Sequence, residues 1–131
     1  MLISRRYDYA IRIVRVLSDG EKHTINQICT KEHIPLAFAY KIAKALEQCS
    51  IIEGQSGSNG GFQLSKEPED ISLADIYGAV EGELVINECL MKGAFCLNNG
   101  NGNACKVHKA LTGLQDNLKE TLSKLNMKNM L

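Results

Sequence analysis

Apolar residues recur at three- and four-residue steps through most of the chain, and each such run predicts a helix with one inward face. Tyr7, Ala10, Ile11, Val14 and Leu17 mark the first, over 4–17, which Asp19 and Gly20 end. Thr24 reads as the N-cap of a short second helix over 25–33, with Ile28 inward. After Pro35, which suits a first helical turn, Phe38, Ile42, Ala45 and Leu46 stripe a third helix over 36–49. Ser72, with Asp75 three residues on, caps a fourth over 72–82 that turns Leu73, Ile76 and Val80 inward and stops at Gly82. From about Ala104 a last helix repeats Val107, Leu111, Leu114, Leu118, Thr121 and Leu125, with Leu122 widening a seam suited to pairing with a second helix. The same seam could cover the chain's own body; a partner helix is expected because so small a domain has limited core to cover.

Two places break the helical period. Residues 51–53 and 62–64 read as short strands joined by Gly57-Ser58-Asn59-Gly60-Gly61, a turn that glycine and asparagine make easily. Two short helices followed by such a hairpin predict a winged helix-turn-helix, whose second helix enters the major groove of DNA and whose wing lies on the backbone or in the minor groove. A plain surface hairpin is the bland alternative, and a nucleotide-phosphate loop fits poorly because no Gly-Lys-Ser/Thr follows and no long helix opens immediately after Gly61. The other break is ECLMKGAFCLNNGNGNACKVHKAL, where Gly93, Gly100, Gly102 and four asparagines rule out regular structure around Cys89, Cys96 and Cys105.

The predicted fold is therefore mainly α, with a minor α+β character. A winged helix-turn-helix domain with a two-stranded wing occupies 1–82, a cysteine-rich loop 83–106, and a long C-terminal dimerisation helix with its tail 107–131. At 131 residues and 44% hydrophobic, the chain has enough apolar residues for one core. Arg and Asp interrupt the first fourteen residues and no run of eighteen apolar residues occurs, which predicts a cytoplasmic protein without a membrane span. Net charge is zero, but residues 1–66 hold nine Lys and Arg against six Asp and Glu, and residues 67–131 hold six against nine. A basic reading head on an acidic body fits that division.

Five cysteines in a reduced compartment are poor disulfide candidates. Cys29 and Cys49 read as core thiols, and His23 and His33 as surface or packing residues. Cys89, Cys96 and Cys105 are separated by six and then eight residues, and His108 follows after two more. This is unlike the tight CxxC pairs of zinc ribbons. Thiolates are the preferred ligands of iron–sulfur centres, so a cluster leads, with zinc and metal-free thiols as alternatives. Lys41, Lys44 and Tyr40 are the candidates for groove and phosphate contacts, and Arg5 and Arg6 for further backbone contacts.

The succession DYAIRI, IPLAFAYKIAKALEQCSII, SGSNGGFQL, EDISLADIYGAVEG, the three cysteines and CKVHKAL resembles the IscR/NsrR family of bacterial Rrf-type winged-helix regulators. The resemblance covers nearly the whole chain. It implies a homodimeric transcription factor on double-stranded DNA, with an iron–sulfur cluster sensing nitric oxide, iron supply or redox state. Two ligand sets are implied. His108 stands where IscR-like members complete a two-iron cluster, and Asp8 where NsrR-like members complete a four-iron cluster across the dimer. His108 is preferred, because imidazole is the better iron donor and adjoins Cys105.

The resemblance places DNA contacts on Pro35, Ala37, Tyr40, Lys41 and Lys44 of the reading helix and on Ser56, Gly57, Ser58, Asn59 and Gly60 of the wing. Three departures matter. Ser56 stands where an arginine commonly enters the minor groove; Pro35, Ala37 and Tyr40 replace more polar residues; and the longer second intercysteine gap predicts that LNNGNGNA is flexible without its cluster. Enzymatic activity and a small-molecule substrate are not expected. The alternatives are a cluster-free regulator controlled by thiol oxidation, or one controlled by complexing a partner protein.

Overall fold

The core is assembled around a first helix against which the three helices that follow it all pack. The structure, a computed structural model, describes residues 3–99 and 105–131. It contains α1 (Arg5–Leu17), α2 (Ile25–Glu32), α3 (Leu36–Gln48), β1 (Ile52–Gln55), β2 (Gly61–Leu64), α4 (Leu73–Glu81) and α5 (Lys106–Lys124), with short 3-10 turns between and after them. The two strands form one antiparallel hairpin that pairs Ile52 with Leu64 and Gln55 with Gly61.

Helix α1 starts where the Ser4 hydroxyl accepts the Tyr7 N–H at 3.0 Å. Its buried face is wider than the predicted stripe. Tyr7, Tyr9, Ala10, Ile13, Val14, Val16 and Leu17 are all buried and Ile11 only half so, because α2, α3 and α4 pack around it on different sides. The Tyr7 hydroxyl donates to the Leu73 carbonyl at 2.8 Å, and burial pushes its phenol up to about 12, so it stays a donor. Its ring meets Tyr77 edge-on at 5.0 Å, which ties α1 to α4.

The predicted cap at Thr24 and the predicted capping box at Ser72 are both present, and the first is a full box as well. Thr24 and Gln27 close one at the start of α2; Ser72 and Asp75 close the other at the start of α4, with Ser72 Oγ 3.0 Å from the Asp75 N–H. Replacing Ser72 by alanine is expected to cost about 1 kcal/mol of stability, read as a lower urea midpoint at unchanged slope.

Two expectations about packing are corrected. In α3 the buried stripe is Ala39, Ile42, Ala43 and Leu46, whereas Phe38 is 52% exposed and Ala45 only half-buried. Phe38 falls on the flank of the helix, where its ring meets the edge of Tyr9 at 6.1 Å. Cys49 is exposed as the C-cap of α3, while Cys29 is half-buried.

The last helix serves two surfaces. Its C-terminal half lies on α4, with Leu122 buried and Leu118 and Leu125 half-buried against the core. Beyond it the chain turns back into the winged-helix body: the Leu73 N–H donates to the Leu125 carbonyl at 2.8 Å, the Met127 N–H donates to the Ile71 carbonyl at 2.9 Å, and the Met127 side chain is fully buried. The tail of the predicted dimerisation segment thus contributes to the core of the first unit. Toward the N-terminal half, Val107 and Leu114 remain 64% and 57% exposed. Residues 100–104, which carry part of the predicted flexible loop and the predicted start of this helix, lie outside the described residues.

Candidate functional site

The turn from α2 to α3 is built on a left-handed residue. His33 takes φ 55 and ψ 45, and its N–H bonds the Cys29 carbonyl, so α2 ends sharply and Pro35 opens α3. On α3, Ala37, Tyr40, Lys41 and Lys44 share the outer face at helical spacing and all are exposed, as is Pro35 at the cap. Arg5 and Arg6 are exposed at the start of α1, and the Arg5 guanidinium lies 5.9 Å from the centre of the Tyr9 ring. Tyr9 and Phe38 in turn connect α1 with the flank of α3.

The wing is held from both sides. Gly60 and Gly61 are required by close approach: a Cβ on Gly60 would stand 2.6 Å from the Gln55 carbonyl oxygen, and one on Gly61 2.8 Å from that of His23. His23 and Phe62 exchange backbone hydrogen bonds of 3.0 and 2.8 Å, which adds a bridge from the α1–α2 connection to β2. Lys22 Nζ donates to the Asn59 carbonyl at 3.2 Å and to the Gln55 side chain. Glu47, near the end of α3, accepts the Gly54 N–H at 3.1 Å. Ser56, Gly57, Ser58 and Asn59 are exposed at the tip, and Gly60 is half-buried behind them.

Lys22 and Glu47 escape sequence reasoning, since both act on residues distant in the chain and carry no local pattern. A Lys22→Met variant keeps the aliphatic stem but loses the donor. It is expected to weaken specific DNA binding about fivefold, the worth of one hydrogen bond, with lost protection confined to the wing side of a hydroxyl-radical footprint.

The thiol loop hangs between α4 and α5. Cys89 and Cys96 line one cleft of about 490 Å³. Cys89 Sγ accepts the Asn87 side-chain amide at 3.1 Å. Cys105 is the N-cap of α5: its N–H donates to Asn99 Oδ1 at 3.0 Å, and its sulfur accepts the His108 N–H at 3.5 Å. His108 Nδ1 is buried without a hydrogen-bond partner among the described residues. Gln115, another residue without a sequence signal, is buried in α5 and accepts the Ile86 N–H at 3.0 Å, fastening the start of the loop to the helix.

Asp8 is already engaged. Arg12 Nε stands 3.1 and 3.2 Å from its two oxygens, and Arg12 and Arg15 also grip the mostly buried Glu32 carboxylate at 3.4 and 2.6 Å. The donor set of three thiols and one unbonded imidazole nitrogen suits an iron–sulfur centre in its chemistry. Among the described residues, no three His, Cys, Asp or Glu side chains converge on one point.

Fold and surface together define a winged helix-turn-helix DNA-binding protein with a thiol-bearing loop before its last long helix. The match to the Rrf2 family, described as iron-dependent transcriptional regulators, spans residues 3–131, and the chain belongs to that family. The NsrR regulator of Shouchella clausii is 29% identical over 119 residues, covering 85% of this chain and 78% of that protein. Among solved structures, CymR of B. subtilis, described as its global cysteine regulator, aligns with a TM-score of 0.78 at 18% identity over 98% of this chain and 94% of that one. IscR of T. potens aligns with a TM-score of 0.75 at 17% identity over 98% and 84%. The chain is thus a transcriptional regulator of the Rrf2 family. No helix among the described residues is long and apolar enough to cross a membrane.

Proposed function

We propose that this regulator binds promoter DNA as a homodimer and that the state of Cys89, Cys96 and Cys105 controls the binding. The observation that carries the reading is the placement of the thiols: all three fall in the segment joining α4 to α5, and Cys105 itself caps α5. The exposed Val107 and Leu114 support pairing with a second copy through the N-terminal half of α5, while the other half is committed to the chain's own core. The 83–106 loop acts as the control element, the winged helix as the reading head.

The three thiolates, with His108 or Asp8, would hold an iron–sulfur cluster of the two-iron or four-iron type. Such a group, when bound, offers an iron open to nitric oxide or oxidants. The chain supplies the rest. Helix α5 runs nineteen residues, about 28 Å, from Cys105 to the 3-10 turn that carries Met127 into the core. Ordering or release of the thiol segment at one end is therefore transmitted through a stiff rod to α4, and α4 packs on both α1 and α3. A small change in the angle between two reading heads suffices, because half-sites lie about one helical turn apart.

His108 is favoured as the fourth donor, since its Nδ1 is unbonded whereas both Asp8 oxygens face Arg12. Replacing His108 by alanine is expected to alter the visible spectrum of protein purified without oxygen, and replacing Asp8 to leave it unchanged; the reverse result assigns the role to Asp8. A second reading, control by thiol oxidation without a cluster, is favoured by the shared cleft of Cys89 and Cys96. Iron and acid-labile sulfide analysis, with footprinting of loaded and stripped protein, separates the two. Colourless, iron-free protein whose DNA affinity falls on peroxide treatment would establish the thiol reading, and equal affinity in every thiol state would end both.

A further inference from the structure

We infer that the reading helix selects thymine-bearing half-sites, its first turns touching the C5 methyl groups that thymine alone presents in the major groove. This rests on the DNA-binding reading above and goes further by naming the base chemistry recognised. The residues of α3 that a helix-turn-helix presents to base edges are those nearest its N-terminus. From Leu36 to Leu46 this helix contains no Arg, Asn, Gln, Asp, Glu, Ser or Thr. Together with Lys, which this stretch carries only at Lys41 and Lys44, beyond its first turn, those side chains make nearly all the hydrogen-bonded readout of guanine, adenine and cytosine.

What the first turn of α3 offers instead is carbon. Ala37 lies at the centre of the outer face, with Tyr40 and Leu36 beside it, 54% and 44% exposed. Phe38, on the opposite flank, leans on Tyr9 and belongs to the α1 contact. Glu47, the first residue after this stretch with an acceptor side chain, is occupied by the Gly54 N–H. Alanine and other apolar groups match only one feature of the major-groove edge, the thymine methyl. Lys41 and Lys44 sit on the same face and supply the charge that a duplex requires, which argues for DNA over an apolar protein partner as the occupant.

In vitro selection from a random duplex pool with the full chain is expected to return half-sites with thymines at the positions facing the first turns of α3. Each of those thymines is then replaced by deoxyuridine, which deletes the methyl and leaves every base-pairing and groove hydrogen-bonding atom in place. Affinity should fall about fourfold per methyl removed. Ala37→Gly should abolish the effect at one of these positions; since the deoxyuridine series needs no altered protein, a poorly folding variant does not blunt the test. Half-sites indifferent to deoxyuridine at every position, or selected half-sites without thymine, would overturn the inference while leaving DNA binding intact. Failure to enrich any sequence would instead remove the sequence-reading function beneath it.

Discussion

Replacing Lys41 and Lys44 together by alanine is expected to flatten the salt dependence of promoter binding more than any other pair of changes on this surface. Removing one cation from a phosphate lowers the slope of log affinity against log salt by about one. The double variant removes two cations from each protomer of a dimer, so the slope should drop by about four if all of them face phosphates. Both side chains are exposed and point away from the buried Ala39, Ile42, Ala43 and Leu46, so the fold should be unaffected, which a thermal melt verifies. Arg5→Ala and Arg6→Ala should act in the same direction with smaller changes in slope. A double lysine variant that retains the full salt slope would show that α3 does not face the duplex.

Replacing Cys89, Cys96 and Cys105 by alanine is expected to separate DNA binding from its control. The wild-type protein should show a difference in affinity between its two thiol states of about 5- to 150-fold, the usual range of coupling between two sites. In the triple variant that ratio should collapse to about one, with visible absorption abolished and the winged helix still folded. The expectation follows from position. All three cysteines lie outside the buried core, in a segment whose removal from the control circuit leaves α1 to α4 and the tail packed together. Retention of a full response to nitric oxide, iron or peroxide in the variant would move the sensor elsewhere, with the half-buried Cys29 and the exposed Cys49 as the remaining thiols.

Local signals of high specificity were legible in the chain. Thr24 with Gln27 and Ser72 with Asp75 close capping boxes through hydrogen bonds three residues apart, so short-range sequence defines them. Helical periodicity placed α1 to α4 within a residue or two, and the glycines at 57, 60 and 61 announced the wing because its backbone admits little else. Family membership, likewise, was carried by motifs spread along nearly the whole chain.

Periodicity leaves open which of several apolar arcs turns inward, because that depends on where neighbours lie. Phe38 fits the helical stripe of α3 as well as Ala39 does, yet α1 and α4 close over Ala39, and Phe38 meets α1 only at the edge of Tyr9. The seam of α5 reads as one continuous row, but tertiary packing divides it, burying Leu122 against α4 and leaving Val107 and Leu114 open. The wing's supports at Lys22 and Glu47, the return of Met127 into the core and the grip of Arg12 and Arg15 on Glu32 likewise emerged only with the folded chain. Helices, hairpin and thiols are written in spacings of a few residues, and the order of amino acids was enough to define them. Which faces are committed to the core and which stay free was set by packing in three dimensions, since burial is a property of neighbours that the fold brings together from far apart.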